Sequence, residues 1–153
     1  MIQRIISAKQ FCKAADDLSG YLNLNDKDNN YHYLLPNGVE SMKKAFAHEK
    51  MLTFNVFAWA NLNSENRYDA AIVFLKDKGP RHGLEIFSEY IWLSANPMVG
   101  YKLFAKAIKF ARDNNFEYIQ MGCSEKSPNK EKVKNLYKKL GFIKDSETYI
   151  AKL

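Results

Sequence analysis

Three consecutive runs, residues 51–60, 68–75 and 84–93, are rich in β-branched and aromatic residues and are separated by turn-forming clusters at 61–66 and 76–83. Runs so closely spaced pair most simply with their sequence neighbours, as an antiparallel meander. Such a sheet has faces to cover, and the flanking segments carry the other hydrophobic period, the one that makes helices.

Before the meander, residues 3–6 form a short apolar run, and Ser7-Ala8-Lys9-Gln10 has the Ser-x-x-Gln pattern of a helix capping box. Phe11, Ala14, Ala15 and Leu18 then follow as one apolar stripe, and Gly20 is placed to end the helix. Residues 23–30 read as a loop. Asn37 caps a second helix, with Glu40 three residues on and Val39, Met42 and Phe46 as its apolar side. After the meander, residues 100–114 are helical in period. Leu103, Phe104, Ala107, Ile108 and Ala111 lie on one side, and Lys102, Lys106, Lys109 and Asp113 mostly on the other. A strand is expected over 116–121. Ser127-Pro128 starts a further helix, carried by Val133, Leu136, Tyr137 and Leu140 and closed by Gly141, and a last strand region covers 142–153. The order β-α-α-β-β-β-α-β-α-β predicts a mixed α/β (α+β) protein with helices on both faces of its sheet. At 153 residues and 46% hydrophobic content it is expected to be one domain, 1–153.

Several classes fall away. No stretch approaches the roughly 20 apolar residues that span a bilayer, and residues 1–10 lack the apolar run of a signal peptide, so a cytoplasmic protein without a membrane partner is expected. Cys12 and Cys123 make no CxxC pair, and His32, His48 and His82 have no metal-ligand spacing, which argues against a disulfide scaffold or a metal site. The formal charge of +6 favours anionic partners, whether nucleic acid, a membrane surface or cofactor phosphates. Lys130, Lys134 and Lys138 align on one helix face, a spacing more often seen on a solvated surface than in a binding site.

The segment Asn135-Leu136-Tyr137-Lys138-Lys139-Leu140-Gly141-Phe142, a helix ending in Tyr-x-x-x-Gly-Phe and feeding a strand, resembles the C-terminal signature of the GNAT family of N-acetyltransferases. The order of elements resembles that family over essentially the whole chain. The resemblance implies a GNAT-like (acyl-CoA N-acyltransferase) fold, with a central mixed, mostly antiparallel sheet. It also implies transfer of an acetyl group from acetyl-CoA to an amine of a small molecule or protein. In the family the donor's pyrophosphate lies at the N-terminus of the helix after the fourth strand, in a pattern of Gln or Arg, two residues, Gly, one residue, then Gly or Ala. The corresponding stretch is Ala95-Asn96-Pro97-Met98-Val99-Gly100, of which Gly100 alone matches and Met98 stands at a glycine position. The donor contacts implied are Trp92, Leu93, Met98, Val99, Gly100, Tyr101 and Lys102, with Asn129 at the pantetheine arm. An equal alternative is that Asn96-Pro97 caps the helix and Gly100 allows close helix packing.

For catalysis the resemblance implies Glu85 as the base that deprotonates the amine, with Glu89, on the same strand face by period two, as its substitute. Both read equally as solvent-facing strand residues. Tyr137 is implied as the acid that protonates the departing thiolate, and a core tyrosine would look the same. Cys123 reads as a small buried thiol. Tyr31, His32, Tyr33 and Trp59 are placed near the acceptor, or at the edge of the core. Two function classes stay open. One is the acetyl-CoA-dependent transferase. The other is a GNAT-fold binding or structural module without a donor site, for example a phage-type protein engaging a host, virion or nucleic-acid partner. A homodimer fits either.

Overall fold

The computed structural model describes residues 1–23, 40, 43–44, 55–78, 83–123, 127 and 129–145. Among them the elements run β1 (Ile2–Ile5), α1 (Ala8–Leu22), β2 (Val56–Leu62), β3 (Tyr68–Lys78), β4 (Glu85–Ser94), α2 (Pro97–Asp113), β5 (Tyr118–Gln120) and α3 (Lys130–Lys139). Glu40, Lys43 and Lys44 are helical, where a second helix was expected. Asn37, Val39, Met42 and Phe46 lie outside the described residues. The chain divides into two compact units, Met1–Gly122 and Cys123–Leu153. No described helix is long and apolar enough to cross a membrane.

In the first unit the five strands form one sheet in the order β1-β2-β3-β4-β5. The first three pairings are antiparallel, those of β2 with β3 and β3 with β4 as the expected meander required, and β5 joins β4 in parallel. α1 starts where its capping residues place it. Ser7 Oγ accepts from the Gln10 amide at 3.2 Å, and Gln10 Oε1 accepts from the Ile6 amide at 3.0 Å. Phe11, Ala14, Ala15 and Leu18 are buried against Ile5, Val56, Ala58, Ala60, Val73 and Leu93. The helix outruns Gly20 and stops at Asn23, which takes the left-handed conformation (φ 49°) and donates its amide to the Ser19 carbonyl. Asparagine tolerates that conformation nearly as glycine does, so the stop needed no glycine. Lys43 reaches back to α1 with an ion pair to Asp16 at 2.6 Å.

The opposite sheet face carries Phe57, Trp59, Phe74 and Phe87, and α2 covers it with Leu103, Phe104, Ala107 and Phe110. Helices therefore lie on both faces, because successive strand residues point to opposite sides. The pairing of β3 with β4 breaks this alternation once. Val73 is opposite Ile91 and Phe74 is opposite Glu89, so Tyr90 is an extra residue, a β-bulge. As a result Ile91 and Leu93 face α1, while Glu85, Phe87 and Glu89, also odd-numbered, face α2. Trp92 shares that second side and stacks on Phe104, centroids 5.1 Å apart.

In the second unit α3 begins at Lys130, with Asn129 at the N-cap position making no side-chain cap. That is later than the Ser127-Pro128 start expected from sequence. Ser127 Oγ instead accepts from the Asn129 amide at 3.4 Å, and Pro128 lies outside the described residues. The helix ends in a Schellman turn. Phe142 N–H donates to the Tyr137 carbonyl at 3.0 Å, Gly141 N–H donates to the Lys138 carbonyl at 3.1 Å, and Gly141 has φ 81°. The Phe142 ring folds back on Tyr137, centroids 5.3 Å apart, which is the apolar contact that accompanies this motif. Residues 142–145 are irregular, and the remainder of the expected last strand lies outside the described residues.

Candidate active site

The two strand carboxylates meet different environments. Glu85, the first residue of β4, is exposed and ion-paired to Lys76 Nζ at 2.8 Å. Glu89 sits just before the bulge, partly buried, and its Oε2 accepts from the Gly122 amide at 2.9 Å. Burial pushes its carboxyl up to about 7 from an ordinary 4.5, against the lowering effect of that hydrogen bond. Desolvation penalises the charged form more than one amide rewards it. The result is a carboxyl poised to take or give a proton near neutral pH.

The start of α2 lies on the same side of the sheet. Asn96 is its N-cap, accepting at Oδ1 from Met98 N–H at 2.9 Å and from Val99 N–H at 3.4 Å, with Pro97 in the first turn. The Gly100 amide is bonded to the Asn96 carbonyl at 3.0 Å. Gly100 is buried, and a Cβ there would lie 3.0 Å from the Ser94 Cβ, so a side chain at this position would press β4 away from α2. Trp92 Nε1 donates to the Gly100 carbonyl at 3.2 Å and locks strand to helix. The first turn holds no acidic side chain, Met98 and Tyr101 are well exposed, and Lys102 is exposed.

No protein-family model matches the chain, and no curated protein matches it. Solved structures do. An aminoglycoside acetyltransferase from an uncultured soil metagenomic sample superposes with TM-score 0.68 at 13% identity, covering 100% of this chain and 97% of that one. The chain has the GNAT fold. A ribosomal-protein-alanine N-acetyltransferase from Brucella melitensis biovar Abortus gives TM-score 0.63 at 12% identity, with 100% and 99% covered. An acetyltransferase of Trypanosoma brucei gives 0.62 at 10%, with both chains covered in full.

Within the GNAT fold, the first unit brings together Glu89, Trp92 and the α2 start from Met98 to Lys102 on one side of the sheet. Two expected residues are placed otherwise. The Leu93 side chain is buried in the α1 core, leaving its backbone alone for any ligand. Trp59 is 3% exposed inside the aromatic cluster with Phe87 and Phe110, under the Arg4 guanidinium, and offers no surface to an acceptor. The stretch from Asn96 to Gly100 is the N-cap and first turn of α2, the position that both readings of it require. Asn129 and Tyr137 belong to the second unit. Tyr137 is partly buried and packed on Phe142. Tyr31, His32 and Tyr33 lie outside the described residues. Sequence reasoning did not single out Gly122 or the bulge at Tyr90. Gly122 carries no local signal, since its partner is 33 residues away.

Proposed function

We propose that the chain transfers an acetyl group from acetyl-CoA to an amine, with Glu89 as the base that takes the amine's proton. The observation that carries this reading is a partly buried carboxyl on β4, held near 7 by desolvation and facing the side on which α2 begins. An ammonium group cannot attack until it loses a proton, and a base that titrates near the working pH accepts that proton best. Glu89 therefore goes ahead of Glu85, whose carboxylate is water-exposed and engaged by Lys76.

Acetyl-CoA, when bound, supplies the acyl group as an activated thioester. The residues at the start of α2 fit its diphosphate. The helix dipole favours an anion there, no acidic side chain opposes it, and Lys102 adds a positive charge. The Met98 and Val99 amides are held by a neutral, exposed cap, the Asn96 carboxamide, which a side-chain rotation releases. Tyr137 as general acid, Asn129 at the pantetheine arm, and Tyr31, His32 and Tyr33 at the acceptor stay in the proposal as the motif implies them. The proposed setting is the cytoplasm.

A second reading, a GNAT-fold module without donor chemistry, is favoured by one observation. Asn96 already satisfies the amides that a diphosphate would use, and Met98 stands exposed beside them. Thermal shift with acetyl-CoA separates the two. Stabilisation at sub-millimolar donor supports the transferase, because a ligand bound by the native state alone stabilises it by mass action. No shift at millimolar donor sinks the transferase and leaves the module. Where donor binds, transfer to amines should show an acid limb near pH 7 that Glu89→Gln abolishes.

A further inference from the structure

The ladder between β4 and β5 ends at Ser88 and Gln120. Beyond it β4 carries the bulge at Tyr90, and Gly122 N–H donates to Glu89 Oε2 at 2.9 Å. A side-chain carboxylate thus takes the place a strand carbonyl would fill. A Cβ on Gly122 would stand 3.0 Å from the same Oε2, so no side chain fits there unless the carboxylate moves. We propose that Gly122 is the positioning residue for Glu89: its amide and its missing side chain together fix where the carboxylate sits and how readily it takes a proton. This rests on the transferase reading for the use made of that proton, and on the geometry alone for the control of ionisation.

The surroundings leave this amide as the main lever. Among the described residues, the charged groups on the same sheet face include Glu85 and Lys76, bound to each other at 2.8 Å, and Arg4 on β1, whose guanidinium lies over the Phe57, Trp59 and Phe110 rings. Phe74 and Phe87 flank Glu89 from β3 and β4. α2 turns Phe104, Ala107 and Phe110 toward this face and keeps Lys102, Lys106 and Lys109 exposed. From Ile119 to Gly122 the chain has no charged residue, and Tyr118 is exposed. An amide donor favours the ionised carboxylate, so weakening it must raise the midpoint of Glu89.

In isotope-labelled wild-type protein, the Gly122 amide proton resonance should titrate with a midpoint of about 7, and this titration should vanish in Glu89→Gln. In Gly122→Ala the Glu89 carboxyl resonance should titrate about one pH unit higher, the size of one lost hydrogen bond to a charged group. The acid limb of kcat/KM should move with it, while calorimetric affinity for CoA stays within about twofold. A flat Gly122 resonance, or an unmoved Glu89 midpoint in Gly122→Ala, overturns the proposal. If the midpoint moves yet wild-type protein acetylates no amine, the positioning stands and the transferase reading falls.

Discussion

Replacing Glu89 by glutamine should stabilise the protein at alkaline pH and do little in acid. The carboxyl titrates near 7 in the native state and near 4.5 in its ordinary state, so between those values the folded chain holds a proton that the unfolded chain has lost. Stability of the wild type must then fall as pH rises through this window, because stability declines with pH wherever the native state binds more protons. At about 1.4 kcal/mol per pH unit the ionised side chain costs the fold about 3 kcal/mol by pH 8. Glutamine matches the neutral acid in shape, keeps an oxygen to accept from Gly122, and never ionises. Glu89→Gln should therefore equal wild type near pH 4.5 and exceed it by about 3 kcal/mol near pH 8, or on the order of 6 to 12 °C in Tm for a chain of this length. Urea denaturation followed by the fluorescence of Trp59 and Trp92 at a series of pH values measures this. Taking the difference between variant and wild type cancels every other titrating group. A difference that stays constant from acid to alkali would refute the desolvation argument and with it the case for Glu89 as a base. A transferase that keeps glutamic acid here would be giving up stability to hold a group in the wrong charge state for its surroundings, a familiar cost of active sites.

Asn96→Ala should lose about 1 kcal/mol of stability with the cap. It should also tighten binding of inorganic pyrophosphate, read by calorimetry, since the Met98 and Val99 amides are released; unchanged affinity would show that the cap and the anion do not compete. Gly141→Ala should cost about 1–2 kcal/mol in denaturant unfolding, because φ of 81° puts an L side chain in the left-handed region; a neutral result would mean that the Schellman turn had rearranged. Tyr137→Phe keeps the ring against Phe142 and should change stability by less than about 0.5 kcal/mol. If the phenol is the general acid, turnover falls while donor affinity holds, and an unchanged rate removes Tyr137 from the mechanism.

Local chemistry was legible in the sequence. The α1 start follows from Ser7 and Gln10, and the meander from β-rich runs broken by turn clusters. The start of α2 at Asn96-Pro97 was legible too, as one of two readings, because a cap and a first-turn proline need no distant partner. What the sequence hid depends on contacts made far along the chain. β4 is covered by helices on both faces, so Ile86-Phe87 and Ile91-Trp92-Leu93 are apolar at successive positions rather than alternate ones, and no break in alternation marks Tyr90 as the residue left out of the ladder. Glu85 and Glu89 were found as a pair, with Glu85 placed first. Their difference comes from the ion pair of Glu85 with Lys76 on the neighbouring strand and from the burial of Glu89, neither of which a period-two pattern records. Trp59 read as an acceptor contact because an aromatic at a strand centre looks alike whether it lines a cleft or fills a core, and α2 is what decides it.

The Schellman turn at Tyr137, Gly141 and Phe142 has a consequence for descent. Its glycine is required by backbone conformation and its two rings by their contact with each other, so folding alone is enough to retain the pattern in a lineage. A descendant that ceased to acetylate anything would still be selected to keep Tyr-x-x-x-Gly-Phe for as long as it needed α3 to stop where it does. Loss of activity would be written elsewhere first, at positions whose present residues burden the fold or compete with a ligand: Glu89, free to drift toward an uncharged residue, and Asn96, free to stay as a permanent cap.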